Sequence, residues 1–440
     1  MIYLKAFNTE ASRTACTDTH EYVSYVEETD ISHIHYGARY LTFSILTDGV
    51  INFSGSTNNN DITNEIQYSF DGGKTWSDPA QIVTLNVHKG DEIKWKGHMK
   101  PAIEGFSDID AGEYSGIGIF KGSTAKFDVK YDIMSLLYGD DFATNDTLVL
   151  TTTFGHLFYE TPVVNANQLL LKSQNLTNYC YFRMFESCSE LVKMPYLPAE
   201  NLAIYCYFEM FNGCTKLKKT TDLPAEIMQE SCYHRMFGSC SSLVKAPVLM
   251  AVTMAPHCYE GMFGFCTSLT TPPRLDSTAL AKGCYDHMFA NCSSLLTAPE
   301  LPATTLAASA YTHMFADCVS LTEAPKLKAT TLTSGSEDQR CYRRMFSGCT
   351  NLNYIYALHT TVPNDNDSRN QFTQEWVLNV GSTGIFVQNI NATWGVSGTN
   401  YSSGSGLPSG WTVIYYDTSA QKYYTDKQRT QECDDHGNII

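Results

Sequence analysis

No stretch of the chain comes near the roughly 18 consecutive apolar residues that a membrane-spanning helix needs, so membrane insertion is not expected. A basic surplus is missing as well. Thirty Lys and Arg stand against 46 Asp and Glu, and a net charge of −16 argues against nucleic-acid binding, because phosphate recognition needs a positive surface. The first residues, MIYLKAFNTEASRTACTDTH, have neither the basic n-region nor the apolar h-region of a secretory signal. If they are the true start, the general secretion route is not expected. No heptad pattern is present to drive a coiled coil. Tryptophan is scarce: of five, Trp376, Trp394 and Trp411 lie late in the chain.

What is present is apolar content of 43% over 440 residues, enough for two or three domains, and a repeat. CYFRMFESC (180–188) returns as CYFEMFNGC, CYHRMFGSC, CYEGMFGFC and CYDHMFANC. The Phe of each MF falls at Phe185, Phe211, Phe237, Phe263, Phe289 and Phe315, 26 residues apart; Phe346 follows after 31, the extra residues falling near 333–339. A strict period of this length predicts units that bury their faces only against neighbours. Leu202, Cys206, Met210 and Cys214 step by four, as do Tyr207 and Phe211, which predicts one face of a short helix. The prolines of LLTAPELP (295–302) then predict a short extended piece.

Thirteen of the 15 cysteines lie in the repeats, leaving Cys16 and Cys433 outside. The second cysteine of the motif recurs in all seven copies, whereas the first becomes Ala310 in one. Alanine at that place marks it as small and apolar, so buried free thiols are favoured over disulfides or zinc. The seven tyrosines from Tyr181 to Tyr342 recur without exception, as a packed ladder would require.

MFANCSSLLTAPELPATTLAASAYTHMF (288–315) nearly spells out the consensus of the BspA-type bacterial surface leucine-rich repeat, which residues 166–355 resemble. The resemblance implies a right-handed solenoid and roles in adhesion and recognition outside the cell, without enzymatic activity or cofactors. The fold class expected is therefore α+β: a small N-terminal module and a β-sandwich, then a leucine-rich-repeat-like solenoid of 26-residue period.

The expected domains are a docking module (1–37), a β-sandwich (38–132), a junction and N-terminal cap (133–165), the repeats (166–355), a C-terminal cap (356–412), and a Tyr-rich hairpin with an acidic tail (413–440). Alternation in YLTFSILTDGVINFSG and Gly/Asp turns indicate the sandwich. SFDGGKTW (69–76) matches the Asp-box hairpin of sialidase propellers, where it is structural.

Other motifs carry less. LLYGDD (136–141) imitates the paired aspartates of polymerases but lacks a third carboxylate and a basic channel, so a solvated turn is expected. Asp108, Asp110 and Glu113 have partial calcium-loop spacing without the closing bidentate Glu. His234, His287 and His313 occupy the variable places of CYxxMF and are expected to face solvent.

In repeat proteins the scaffold positions repeat and the recognition positions vary. Here the varying places give Lys193, Lys219, Lys245 and Glu323 in one row, and Tyr196, Asp222, Arg274, Glu300 and Lys326 in another. Such an open face suits a glycan or a protein partner better than a catalytic pocket. Arrays of this kind joined to a sandwich look like fibre-type proteins of phages of gut bacteria. That resemblance implies a virion fibre or decoration protein, attached to virion structural proteins through its N-terminal module, touching a host-surface glycan or protein through its repeats. The same resemblance leaves room for a homo-oligomer, since fibres are often trimers. The alternatives are a bacterial cell-surface adhesin and a capsule-degrading glycan hydrolase.

Overall fold

A computed structural model describes residues 39–55, 64–99, 118–148, 150–330, 340–360, 372–395, 397 and 404–440. The docking module expected at 1–37 and the calcium candidates Asp108, Asp110 and Glu113 lie outside these residues.

The alternating segments at the front become strands. They are β1 (Leu41–Ile45), β2 (Gly49–Gly55), β3 (Ile66–Ser69), β4 (Ile82–Val87), β5 (Glu92–Gly97), β6 (Gly118–Ile119) and β7 (Phe127–Asp132). A four-residue helix α1 (Ser135–Tyr138) and a 3-10 turn (Gly139–Thr144) follow, then β8 (Gln168–Leu170). One sheet has the order β3-β5-β1-β7-β8 and the other β4-β2-β6. Period-two alternation points Leu41, Phe43, Ile93 and Trp95 from one sheet, and Ile51, Phe53, Val83 and Leu85 from the other, into a shared core. Phe43 meets Phe127 at 4.5 Å and Phe120 at 4.8 Å, and Phe120 meets Phe53 at 5.0 Å. The Asp box pins its loop as expected: Asp71 accepts hydrogen bonds from Ser69 Oγ, Lys74 N, Thr75 N and Thr75 Oγ1, which hold its carboxyl well below the usual carboxylate range.

The sandwich runs into the repeats without a break. Strand β8 pairs parallel to β7, Tyr131 opposite Leu169. Phe158 stacks on Phe120 at 5.7 Å and starts a column that continues at 5.1 Å to Phe185 and on to Phe346. Beside it the tyrosines form the ladder that their invariance predicts, buried and spaced 5.6 Å (Tyr181–Tyr207) to 6.1 Å (Tyr259–Tyr285).

The α+β class and the helix expected in each copy are overturned. The fold is β-rich, in several sheets, with no closed solenoid; among the described residues the only α-helix is α1. Each CYxxMFxxC segment is instead a chain of tight turns. Alternate amides close i→i−3 turns: Phe208 N–H donates to Tyr205 O (3.3 Å) and Met210 N–H to Tyr207 O (3.2 Å). The intervening amides cross to the next copy: Tyr207 N–H donates to Cys232 O (3.0 Å), Glu209 N–H to His234 O (2.8 Å) and Phe211 N–H to Met236 O (2.9 Å). Every fourth residue is left-handed, as at Tyr205 (φ 56), Glu209 (φ 51) and Gly213 (φ 76). A four-residue turn period and a helical i, i+4 face put the same residues inside, which is why the apolar spacing pointed to a helix. Side-chain crowding makes a left-handed residue cost about 1–2 kcal/mol, and the inter-copy hydrogen bonds and buried columns offset that strain. The short extended pieces persist as single parallel bridges between copies, such as Lys193 to Lys219 and Lys245 to Thr271.

All 14 cysteines among the described residues are buried free thiols, and burial pushes Cys188 and Cys266 up to about 12, so they stay protonated and unreactive at neutral pH. The two cysteines of the motif do different work. The second thiol donates to the carbonyl of the preceding copy's phenylalanine at 2.9–3.3 Å, from Cys188 on Phe158 through Cys349 on Phe315. In the degenerate first copy Thr161 Oγ1 donates to Phe158 O at 2.7 Å instead. The first thiol is engaged more weakly where it is seen to donate: Cys232 to Met228 Sδ at 3.8 Å and Cys258 to Met254 Sδ at 3.7 Å, both poor thioether acceptors. That difference explains why alanine can replace the first and not the second.

Opposite outcomes are therefore expected at the two places. Cys232→Ala should be nearly neutral and Cys232→Ser should cost about 1–3 kcal/mol, because the Met228 thioether is a poor acceptor for a buried hydroxyl. Cys240→Ser should be tolerated, whereas Cys240→Ala should cost about 1–2 kcal/mol in lost bond and packing. Urea midpoints of the four variants check this; equal effects of Ala and Ser at both sites would refute it.

The C-terminal end is a sheet of β9 (Tyr354–Ala357), β10 (Ile385–Asn389), β11 (Thr412–Asp417), β12 (Lys422–Tyr424) and β13 (Glu432–Cys433), in the order β13-β12-β11-β10-β9. The Tyr-rich hairpin is β11–β12, with Tyr416 opposite Tyr423. Trp376, Trp394 and Trp411 are all buried at this end, where the column must be sealed.

Candidate functional site: the exposed ridge

The extended piece of each copy divides its side chains between an inner and an outer face. Leu191, Met194 and Leu197 turn inward while Lys193 and Tyr196 turn out, and the next copy repeats the pattern with Leu217 and Leu223 inside, Lys219 and Asp222 outside. All nine varying residues predicted to form a face are exposed: Lys193, Tyr196, Lys219, Asp222, Lys245, Arg274, Glu300, Glu323 and Lys326. The parallel bridges put them in register. Asn165, Lys193 and Lys219 are joined in turn, as are Lys245 and Thr271, then Glu323 and Tyr354. Neighbouring members of a row thus stand one strand spacing apart, about 5 Å.

The charges along the ridge are unequally compensated. Among the described residues Lys193, Lys219 and Lys245 have no ion pair and no side-chain hydrogen bond, although Lys216 nearby pairs with Glu190 at 2.8 Å. Toward the other end the charges are answered locally. Arg274 meets Asp276 at 2.5 Å and Glu300 lies 3.9 Å from Lys328, while Asp222, in the copy of Lys219, accepts the Val248 amide at 3.1 Å. Three unpaired ammonium groups in adjacent copies of an acidic protein make a local attractor for an anionic surface.

The ridge extends further than the sequence suggests. Glu323 bridges to Tyr354, and Lys326 sits 5.4 Å above the ring of Tyr356, so the two rows pass onto β9 and the tyrosines around it. Tyr356 meets Tyr416 at 5.8 Å and Tyr416 meets Tyr423 at 4.7 Å. The step from Phe315 to Phe346 is five residues longer than the others, which hides this continuation from a reading in register. The recurrence of tyrosine in β9 and β11 was the available signal.

The remaining candidates separate. Asp140 of the YGDD segment is exposed in a 3-10 turn, salt-bridged to Lys96 at 3.0 Å and hydrogen-bonded by Tyr40 Oη at 2.7 Å, which lowers its pKa. It is a surface anchor. The expectation that His234, His287 and His313 face solvent is corrected: all three are half-buried, because the variable places sit on the turns of a stack and each ring is covered by the copy beside it. His234 stacks on Phe208 at 4.5 Å, and burial lowers its pKa to about 4. His257 donates toward Glu260 Oε2 at 2.6 Å, and that bond raises its pKa. Arg183 lies between Glu209 (2.7 Å) and Glu186 (3.4 Å), so this edge of the stack is stitched by charge.

Comparison with known families, with curated proteins and with solved structures returns no match to this chain.

Proposed function

We propose that this is a non-enzymatic recognition protein: a bacteriophage virion fibre or decoration protein whose ridge contacts a glycan or protein on the host surface. The observation that carries the reading is the division of labour within each copy. Cys, Tyr, Met and Phe columns build an unvarying buried core, and on that rigid frame stand exposed rows of varying residues held in register, with Lys193, Lys219 and Lys245 unpaired. A flat, charged row on a stiff support suits contact with an extended partner and gives no enclosure for chemistry. The placement in a virion, with residues 1–37 attaching to virion proteins, is supported by the resemblance of the CYxxMF arrays to phage fibre-type proteins.

The test is mass spectrometry of density-purified phage particles beside the washed envelope of the host. Peptides at structural stoichiometry in the particles are expected. Peptides in the envelope alone would replace this reading with a bacterial adhesin. For the ridge, changing Lys193, Lys219 and Lys245 together to Ser should weaken binding of the purified chain to host cells about tenfold, roughly 1.4 kcal/mol, and flatten its salt dependence. Unchanged binding would remove the lysine row from the contact.

A further inference from the structure

Where most copies place Arg, Glu or Gly at the second variable position of CYxxMF, two successive copies place histidine. His287 and His313 are stacked with ring centroids 4.1 Å apart and planes 14° apart. Asp286, in the adjoining position, brings its Oδ1 to 2.7 Å from His287 Nδ1. The three offer ligand atoms that all lie within 4.8 Å of one another. Two of those atoms are unsatisfied: His313 Nδ1 is buried without a hydrogen-bond partner, and Asp286 Oδ1 makes no well-aligned hydrogen bond despite its closeness to His287. Elsewhere along this edge the same positions are answered by opposite charge, as Arg183 is by Glu209 and Arg344 by Glu375 at 2.6 Å. Here Asp286 is met by the imidazole of His287 in place of an arginine, and His313 Nδ1 has no partner among the described residues; a buried polar atom left unmatched calls for one.

We propose that Asp286, His287 and His313 bind one divalent transition-metal ion of the zinc, cobalt or nickel type, with water completing the coordination. Two imidazole nitrogens and one carboxylate oxygen are the donor set of such ions, whereas calcium and magnesium require more oxygens. A tetrahedral ion with bonds near 2.0–2.1 Å holds its ligands about 3.3 Å apart, so the rings must splay from their stack to converge. His287 has the room, its side chain being 46% exposed. The flanking cations are tethered away from the cluster: Arg343 Nε donates to Gln374 Oε1 at 3.0 Å, and Arg344 Nε to Glu375 Oε2. Glu260, one copy back, is engaged by His257. Because His287 and His313 belong to different copies, the ion would clamp two layers of the stack together.

Cobalt(II) titration of the full chain, followed by visible absorption and by competition with a chromophoric chelator, tests the site. Intense d–d bands saturating at one equivalent, without thiolate-to-cobalt charge transfer, are expected. His313→Asn and His287→Asn should each weaken binding at least about tenfold, since each deletes one of three protein ligands, and Asp286→Asn should weaken it as well. Asparagine tolerates the left-handed backbone at positions 287 (φ 54) and 313 (φ 51), so these variants keep the fold. His313→Arg, which copies Arg344 of the next unit, is a second variant for which the stack itself vouches. Asp434, Asp435 and His436 form the other close group of metal-type ligands among the described residues, so His436→Asn is the control. Absence of cobalt bands in the unmodified chain overturns the proposal, and so does binding that survives His313→Asn or is lost with His436→Asn.

Discussion

Trp376→Ala is expected to lower the stability of the chain by about 3–5 kcal/mol, the range for emptying a large buried aromatic site. Trp376 is fully buried, its Nε1 donates to Gly406 O at 2.8 Å, and its ring stacks on Trp394 at 5.2 Å. It also ends both columns of the stack, lying 6.2 Å from Phe346 and 6.3 Å from Tyr342. Its carbonyl accepts the Phe346 amide at 2.9 Å, one of the rungs, with those at Phe372, Gln374 and Leu378, that carry the inter-copy ladder past the last copy. In a one-dimensional array each unit is held by its neighbours, so loss of the terminal seal frays the last copies first. Hydrogen exchange should therefore show amides around Tyr342–Phe346 losing protection before those around Tyr207–Phe211. Trp376→Phe should cost less, since phenylalanine continues the column and only the bond to Gly406 is lost. A urea midpoint for Trp376→Ala within about 1 kcal/mol of the unmodified chain would show that the seal lies elsewhere.

Columns and rows were legible in the sequence because each is a recurrence: the same Tyr, Phe and Cys at a fixed interval must meet their copies when units stack. Exposure of Lys193 through Lys326 followed from the complementary fact that those positions vary. The local backbone was not legible. Residues four apart lie on one side of an α-helix and equally on one side of a chain of four-residue turns, so Cys206, Met210 and Cys214 cannot choose between them. A strict period of four over the whole motif, with Gly213, Gly261 and Gly348 falling at left-handed places, favours the turns, since a helix would rotate each successive group by about 40°. The Asp286, His287 and His313 group was hidden for a related reason. Its members look like scattered substitutions along the chain, and they become neighbours only when copies 26 residues apart stack edge to edge.

Acid should destabilise this fold in the window between pH 6.5 and pH 4, before most carboxylates titrate. His359 is the sharpest cause. It is fully buried between Tyr342 (5.0 Å) and Trp394 (5.9 Å), neither ring nitrogen has a hydrogen-bond partner, and burial lowers its pKa from 6.5 to about 4. The unfolded chain takes up a proton near pH 6.5, while the folded chain refuses it until about pH 4. Stability is therefore full above 6.5, falls as the pH drops through this window, and levels off below it. At 1.36 kcal/mol per pH unit the loss from this one group approaches about 3 kcal/mol. His156 and His234, each lowered to about 4 mainly by burial, act in the same direction. His257, raised by Glu260, opposes them, as does Glu186, which burial pushes up to about 7. His359→Phe isolates the term, because it keeps an aromatic ring in the site and removes both unsatisfied nitrogens. Urea midpoints from pH 7.5 to pH 4.5 should show the variant more stable throughout, with the acid slope reduced by close to one proton. An unchanged slope would mean that His359 reaches a proton acceptor or solvent in the native state, and the acid sensitivity would then belong to the histidines along the edge of the stack.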